Sequence, residues 1–390
     1  MNKVIRKLST IAGHQGRIIL GVMSGTSMDG IDLALCRVRG ASMSTGVDVL
    51  KFASIPVGEN LKETFDDLAY NPDTGAGQIL RFEAELTETW CRGIAGQIDD
   101  WDLTVNEIDL LASHGQTILH HPDAEGGFHG TLQIVDGDAL AQSLGIITVS
   151  DFRRKHIAAG YEGAPLAPLG EVLLFSDPDA ARVLLNLGGI ANFTILESGL
   201  EEPVVPFATD TGPANTLLDA AVKRLLPGRA YDKDGVIARS GKVDQNLLEE
   251  LLKHPFFGRG YPKSTGQEQF NWEWVYECLM KTDPDLEMKN LLATLTELTA
   301  QTVSDAIREN LDSDAAEIFV SGGGWNNTFL IERLKAHFPE CEIVSSAGLG
   351  LDPEAKEAAL FAVLANELIA GEGWVNVNGE QFRLGKISLP

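Results

Sequence analysis

The stretch Gly21-Val22-Met23-Ser24-Gly25-Thr26-Ser27-Met28-Asp29-Gly30-Ile31-Asp32 joins two apolar, β-branched runs, 17–22 and 31–38. Runs of that kind on either side of a short Gly- and Ser-rich segment predict a β-hairpin. Two readings of its loop stand side by side. Glycines and hydroxyl side chains at a strand end can turn N–H and O–H donors toward a phosphate, with Asp29 placed to hold Mg²⁺ beside it. The same residues also make an ordinary tight turn with aspartate as turn former.

The device recurs in the second half. Apolar runs at 182–187 and 192–196 flank Gly188-Gly189-Ile190-Ala191, and the Asn186-Leu187-Gly188-Gly189 turn can make a second phosphate contact or a plain turn. A third glycine cluster, Ser321-Gly322-Gly323-Gly324-Trp325-Asn326-Asn327, follows a strand at 317–321 and precedes a helix at 327–338. Three residues without Cβ leave room for a flat ligand and expose a helix N-terminus. Further helices are expected at 76–98, 138–144, 213–226, 288–310 and 354–369, and strands at 108–112, 131–135, 146–149 and 341–345. Strands alternating with helices argue an α/β class. A boundary near 145–155 divides the chain into two lobes with a cleft between them.

The composition bounds the partners. The chain has 390 residues, 31 Lys+Arg against 56 Asp+Glu, a net charge of −25 and 40 glycines. Such a negative field disfavours nucleic acid and anionic membrane surfaces. Four separated cysteines without CxxC spacing read as reduced thiols. The basic N-terminal stretch lacks the apolar core of a signal peptide, and no run reaches the ~18 apolar residues of a membrane span. A cytoplasmic protein with a mobile extension at 1–17 is therefore expected.

Other polar clusters fall where α/β proteins bind ligands. Ser113-His114-Gly115-Gln116-Thr117 ends an apolar strand, and His114 there either bonds a sugar hydroxyl or is a satisfied structural histidine. Asp210, in Asp210-Thr211-Gly212-Pro213-Ala214-Asn215, stands before the expected helix with Pro213 in its first turn. It serves as a general base held ionised by backbone N–H groups, or it caps the helix. Arg153, in Asp151-Phe152-Arg153-Arg154, pairs with an anionic substrate or with nearby carboxylates. Neither a P-loop nor a dinucleotide-binding glycine fingerprint is present.

Together these segments resemble the anhydro-N-acetylmuramic acid kinases of bacterial cell-wall recycling. The resemblance runs from about residue 18 to the C-terminus through GVMSGTSMDGID, ASHGQT, DFRR…GAPL, LNLGGIAN, DTGPAN, YDKDG, PKSTG, SGGGWNN and Lys356-Glu357. It implies the two-lobed actin-like ATPase fold of the sugar kinase, Hsc70 and actin superfamily, with ATP in a central cleft. The implied lobes are 18–148 and 149–390, with the helix near 354–370 free to pack back on the first.

The implied ATP contacts are Gly25 to Asp32, Gly188, Gly189, Gly322, Gly323, Gly324 and Asn326. Asp210 matches the base that activates a water against C1 of the anhydro sugar, freeing O6 to take the γ-phosphoryl group. Ser113, His114, Gln116, Thr117, Arg153 and Asn186 are the implied substrate contacts, Asp29 and Glu357 the implied Mg²⁺ ligands, and a homodimer the implied assembly. Gln267, Ala214 and Tyr161-Glu162 depart from the residues usual in the family. Gln267 and Glu162 each make the local field more negative. If either lies in the substrate pocket, recognition of the lactyl carboxylate weakens, which keeps levoglucosan, lacking that carboxylate, as an alternative substrate.

Overall fold

The computed structural model describes residues 2–69, 71, 73–121, 130–311, 316–376 and 378–390. In it the quoted loop is the turn of a hairpin. Strands Gly16–Met23 and Gly30–Arg39 pair antiparallel with Met23 opposite Asp32, and Gly46–Pro56 continues the meander. On the other side of the first strand, Leu110–Ser113 and then Thr148–Ser150 run parallel, and Lys386–Ser388 closes the edge. Ile19, Leu20 and Leu111 are fully buried, as expected of central strands covered on both faces.

A second sheet repeats the plan. Arg182–Leu187, Ile190–Leu196 and Phe207–Pro213 form an antiparallel meander. Glu317–Ser321 and then Glu342–Ser345 lie parallel beyond the first of these strands. Each sheet is thus a three-strand meander followed by two parallel strands, with a glycine turn between its first two strands. The resemblance between the two glycine turns is therefore a resemblance of topology.

The chain forms two compact units, Met1–Phe175 with Leu200–Val205 and Leu351–Pro390, and Ser176–Gly199 with Pro206–Gly350. The division falls after Phe175 rather than at the expected 148. Helix Ala167–Phe175 is the reason, because it packs on helix Lys356–Ala370 within the first unit. Lys356 Nζ reaches Glu171 Oε1 at 2.5 Å, and a Cβ on Gly170 would lie 2.6 Å from Leu360 Cδ2. Trp374, fully buried, donates from Nε1 to Leu169 O at 3.0 Å. Trp374→Phe keeps most of that buried surface and removes the indole donor, so it should lower unfolding free energy by about 1 kcal/mol in a denaturant titration.

Helix Lys356–Ala370 lies on the opening strand of the first sheet. Ala358, Ala359, Ala362 and Ala365 are fully buried, and their small side chains let the helix backbone come close. A Cβ on Gly21 would sit 1.9 Å from Ala358 O. Helix Ala76–Asp100 covers part of the core with Phe82, Leu86, Trp90, Ile94 and Ile98, a stripe at four-residue spacing that faces one side.

The N-terminal residues are not a mobile extension. Lys3–Ala12 is a helix capped by the Asn2 side chain, and Arg17 belongs to the opening strand. The Arg17 guanidinium is buried, donating to Asn366 Oδ1 at 2.7 Å and to the carbonyls of His14 and Gly40. Its burial needs these partners, because an unpaired buried charge is costly. Among the described residues Cys36, Cys91 and Cys278 are free thiols, and no helix is long and apolar enough to cross a membrane.

Candidate active site

In the first unit the hairpin loop is internally tied. Ser24 Oγ donates to Gly30 O at 2.9 Å, Met28 N–H to Gly25 O at 3.2 Å, and Gln116 Nε2 to Gly25 O at 3.1 Å. Thr26 and Ser27 stand exposed, whereas the Met28 and Ile31 side chains are buried in the core. Met28 and Ile31 can therefore meet a nucleotide only through their backbone.

Asp29 is exposed and forms an ion pair with Lys62 of helix Glu59–Leu68. Hydrogen bonds from Lys62 and Ser27 hold its carboxyl below the ordinary range. Glu357 is also exposed, yet the protein packed around it pushes its carboxyl up, and the charge of Asp32 adds to that push. Lys356 and Arg153 act in the opposite sense. The acidic partner that acts on Glu357 is thus Asp32 of the second strand, while Asp29 is engaged by Lys62. Glu357, a carboxylate with the negative charge of Asp32 acting on it, offers oxygen ligands of the kind a hard divalent cation takes, so the residues present fit Mg²⁺. Among the described residues no cluster of three metal-ligating side chains occurs.

The Ser113–Thr117 segment crosses from the sheet to strand Gln116–His121. Ser113 Oγ and Gln116 Oε1 are buried without a hydrogen-bond partner among the described residues, as groups that await a ligand would be. Thr117 is occupied structurally, its Oγ1 accepting from Gln133 Nε2 at 3.3 Å. A polar cavity of about 160 Å³ opens here, lined by Glu83, Ser113, His114, Asp136, Asp151 and Arg154 among others. It lies at the C-terminal ends of the parallel strands, the usual ligand side of such sheets. Glu83 and Asp136 were not singled out in the sequence, and Arg154 stands in the quoted Asp151-Phe152-Arg153-Arg154 segment. Burial pushes the Glu83 carboxyl up, Asp136 adds to it, and Arg154 draws it down.

The second unit holds Asp210. It sits within strand Phe207–Pro213, not ahead of a helix, because the helix starts only at Asn215. Pro213 is the last residue of an edge strand, where its missing N–H costs no ladder bond. Neither Asp210 nor Thr211 caps the helix; its cap position is Ala214. Asp210 Oδ2 accepts from Thr265 N–H at 2.8 Å, and its own N–H donates to Lys263 O at 2.9 Å. Burial pushes its carboxyl up and the Thr265 bond only partly offsets that, so the expected ionising helix N-terminus is replaced by one backbone donor. The other carboxylate oxygen takes no hydrogen bond from the described residues. A half-buried carboxylate with raised affinity for a proton is suited to general base chemistry.

The second glycine turn is clamped by a residue that sequence reading passed over. Asn215 Nδ2 donates to Leu187 O at 3.0 Å and to Gly188 O at 2.7 Å. Ser321 Oγ reaches Asn186 Oδ1 at 3.4 Å, which commits part of Asn186 to the neighbouring strand. In the third cluster, a Cβ on Gly322 would lie 2.7 Å from Leu187 O and one on Gly324 2.6 Å from Leu187 Cβ. These two glycines serve close packing on the second turn, whereas a Cβ on Gly323 would meet only Asn215 Nδ2, at 3.9 Å. Asn327 caps helix Thr328–His337 through Leu330 N–H, and Asn326 is exposed.

The family model described as anhydro-N-acetylmuramic acid kinase matches residues 17–373. A protein of that name from Pseudoalteromonas atlantica is 39% identical over 100% of both chains. Another from Xanthomonas axonopodis pv. citri is 40% identical over 91% of this chain and 92% of its own. A solved ROK hexokinase from Thermus thermophilus aligns with 89% of this chain and 98% of its own at 12% identity, with a TM-score of 0.36. By model coverage and by full-length identity, the chain belongs to the anhydro-N-acetylmuramic acid kinase family.

Proposed function

We propose that this protein is an ATP-dependent kinase that opens 1,6-anhydro-N-acetylmuramic acid and phosphorylates its O6, as in cell-wall recycling. Asp210 takes a proton from water as the water oxygen bonds to C1. The C1–O6 bond breaks, O6 bonds to the γ-phosphorus, and the bond from that phosphorus to ADP breaks. The products are N-acetylmuramic acid 6-phosphate and ADP. The observation that carries this reading is Asp210 itself: one carboxylate oxygen held by Thr265 N–H, the other open, in surroundings that raise its basicity.

The remaining groups follow from what each unit presents. The backbone of Gly25 to Asp32, the Gly188-Gly189 turn and the Gly322-Gly323-Gly324 segment are assigned to ATP. Ser113, Gln116, Arg153 and the adjoining cavity are assigned to the sugar, with Asn186 as a further contact. Glu357, with Asp32 rather than Asp29 beside it, would hold Mg²⁺, which supplies charge neutralisation at the phosphates. The free thiols of Cys36, Cys91 and Cys278 suit a reducing cytoplasm, and family resemblance supports a homodimer.

Gln267 lies over the second glycine turn, where a Cβ on Gly189 would stand 2.5 Å from its Nε2, and Glu162 is exposed. Neither is among the residues that line the cavity assigned to the sugar, and the family that the chain belongs to supports the acidic sugar over levoglucosan. A direct assay decides it: product and ADP should form from the acidic anhydro sugar only when ATP is present, and more slowly from levoglucosan. Ring opening without nucleotide would assign a glycosidase instead.

A further inference from the structure

His114 is spoken for at both ring nitrogens. Nδ1 lies 2.9 Å from Gly115 O, and a carbonyl only accepts, so the proton belongs on Nδ1. Nε2 keeps its lone pair and accepts from Arg153 Nε at 2.9 Å. A protonated ring could not accept that bond. Burial, followed by the Arg153 charge, lowers the His114 pKa to about 3 against the pull of the Gly115 carbonyl, so the ring stays neutral. Its face is held as well, with Phe361 4.9 Å away, and Phe361 in turn meets Phe152 at 5.3 Å.

The two ring contacts tie this arrangement to the rest of the half-site. Phe152 and Arg153 are successive residues of helix Phe152–Ala158. Phe361 lies one turn beyond Glu357 on helix Lys356–Ala370. The imidazole therefore joins the Arg153 guanidinium to the helix that carries Glu357.

We infer that His114 is a positioning residue: it touches no sugar hydroxyl, and by accepting from Arg153 Nε it sets the plane in which Arg153 meets an anionic group of the substrates. That inference rests on the proposed reaction for the identity of the anion, which is either the sugar carboxylate or the transferring phosphoryl group. For the clamp itself it rests only on the geometry around the ring.

The test is a double-mutant cycle with 1,6-anhydro-N-acetylmuramic acid. His114→Phe keeps a ring against Phe361 and removes the acceptor, so kcat/KM should fall by about 10- to 100-fold, the scale of a misplaced binding group. His114→Gln offers an amide oxygen and should recover most of the loss. In an Arg153→Ala background, His114→Phe should cost less than about 2-fold, as expected of residues that act as a unit. Losses that multiply would mean that His114 meets substrate itself, and the inference would be overturned. A loss carried by the sugar KM identifies the carboxylate as the anion, and one carried by kcat identifies the phosphoryl group; each supports the clamp.

Imidazole ¹⁵N spectra give a readout that needs no turnover, and the tautomer is read from the wild-type protein alone. They should show one neutral histidine protonated at Nδ1 with a hydrogen-bonded Nε2, whose shift changes in Arg153→Ala. A ring protonated at Nε2 overturns the clamp. Absence of sugar turnover in the wild type would overturn the proposed function and leave the spectra to decide the clamp.

Discussion

Asp210→Asn should lower kcat for the anhydro sugar by on the order of 10²- to 10⁴-fold while leaving ATP affinity near the wild-type value. The amide keeps an acceptor for Thr265 N–H, so the strand and the 262–266 loop stay joined. It cannot take a proton from water. Near wild-type turnover in this variant would remove Asp210 from the role of base. The pH profile adds an independent reading. Burial raises the Asp210 pKa, and the group must be ionised to act, so activity falls as pH drops through that raised value. The acid limb of kcat/KM should therefore lie above the ~3.9 of an ordinary aspartate.

The same shift predicts the sign of a stability change. A carboxyl whose pKa is higher in the folded state binds its proton more tightly there than in the unfolded chain. That favours the folded state below the unfolded pKa and is lost as pH rises through the folded one. At neutral pH the ionised, half-buried carboxylate is then a cost, and Asp210→Asn should melt at or above the wild-type temperature. A loss of activity with unimpaired stability separates a chemical role from a structural one.

Gly21→Ala is the second large effect, and here stability leads. The added Cβ would meet the backbone of Ala358 and approach Ala362 N at 3.3 Å, and no rotamer change relieves a clash with main chain. Over-packing of this kind costs about 1–3 kcal/mol or more, and this site should fall at the upper end. The helix that must move carries Glu357 in its first turn. Denaturant midpoints should drop, and the Mg²⁺ concentration for half-maximal activity should rise. Gly258→Ala, whose Cβ comes no nearer than 3.8 Å to Pro255 O, should change neither markedly.

What could be read from the sequence divides along a physical line. Strands Arg182–Leu187 and Glu317–Ser321 and helix Met288–Asn310 were legible to the residue, because continuous apolar runs or a long periodic stripe define them. Strand Gly46–Pro56 escaped because it lies outermost in the meander and no residue in it is fully buried. Strand Phe207–Pro213 escaped because Thr-Asp-Thr-Gly-Pro carries turn and helix-start residues, and its pairing with Ile190–Leu196 overrides them.

At the site, the glycine turns and Asp210 were visible because unusual residue types cluster locally. The pairings Asp32 with Glu357, Arg153 with His114 and Thr265 with Asp210 were not. Each joins residues far apart in the chain, and spacing carries no information about such contacts.

The three-part make-up of the first unit also bears on how the chain acquires its structure during synthesis. The opening strand emerges early from the ribosome, whereas the helix that Gly21 is shaped to receive lies in Leu351–Pro390 and emerges last. Ser176–Gly199 and Pro206–Gly350 are complete before it. The second unit can therefore close while the first still exposes the apolar face of its sheet, a condition in which unfinished domains associate with one another. A nascent chain stalled before residue 351 should show a protease-resistant second unit and a protease-sensitive first, and release of the full chain should protect both.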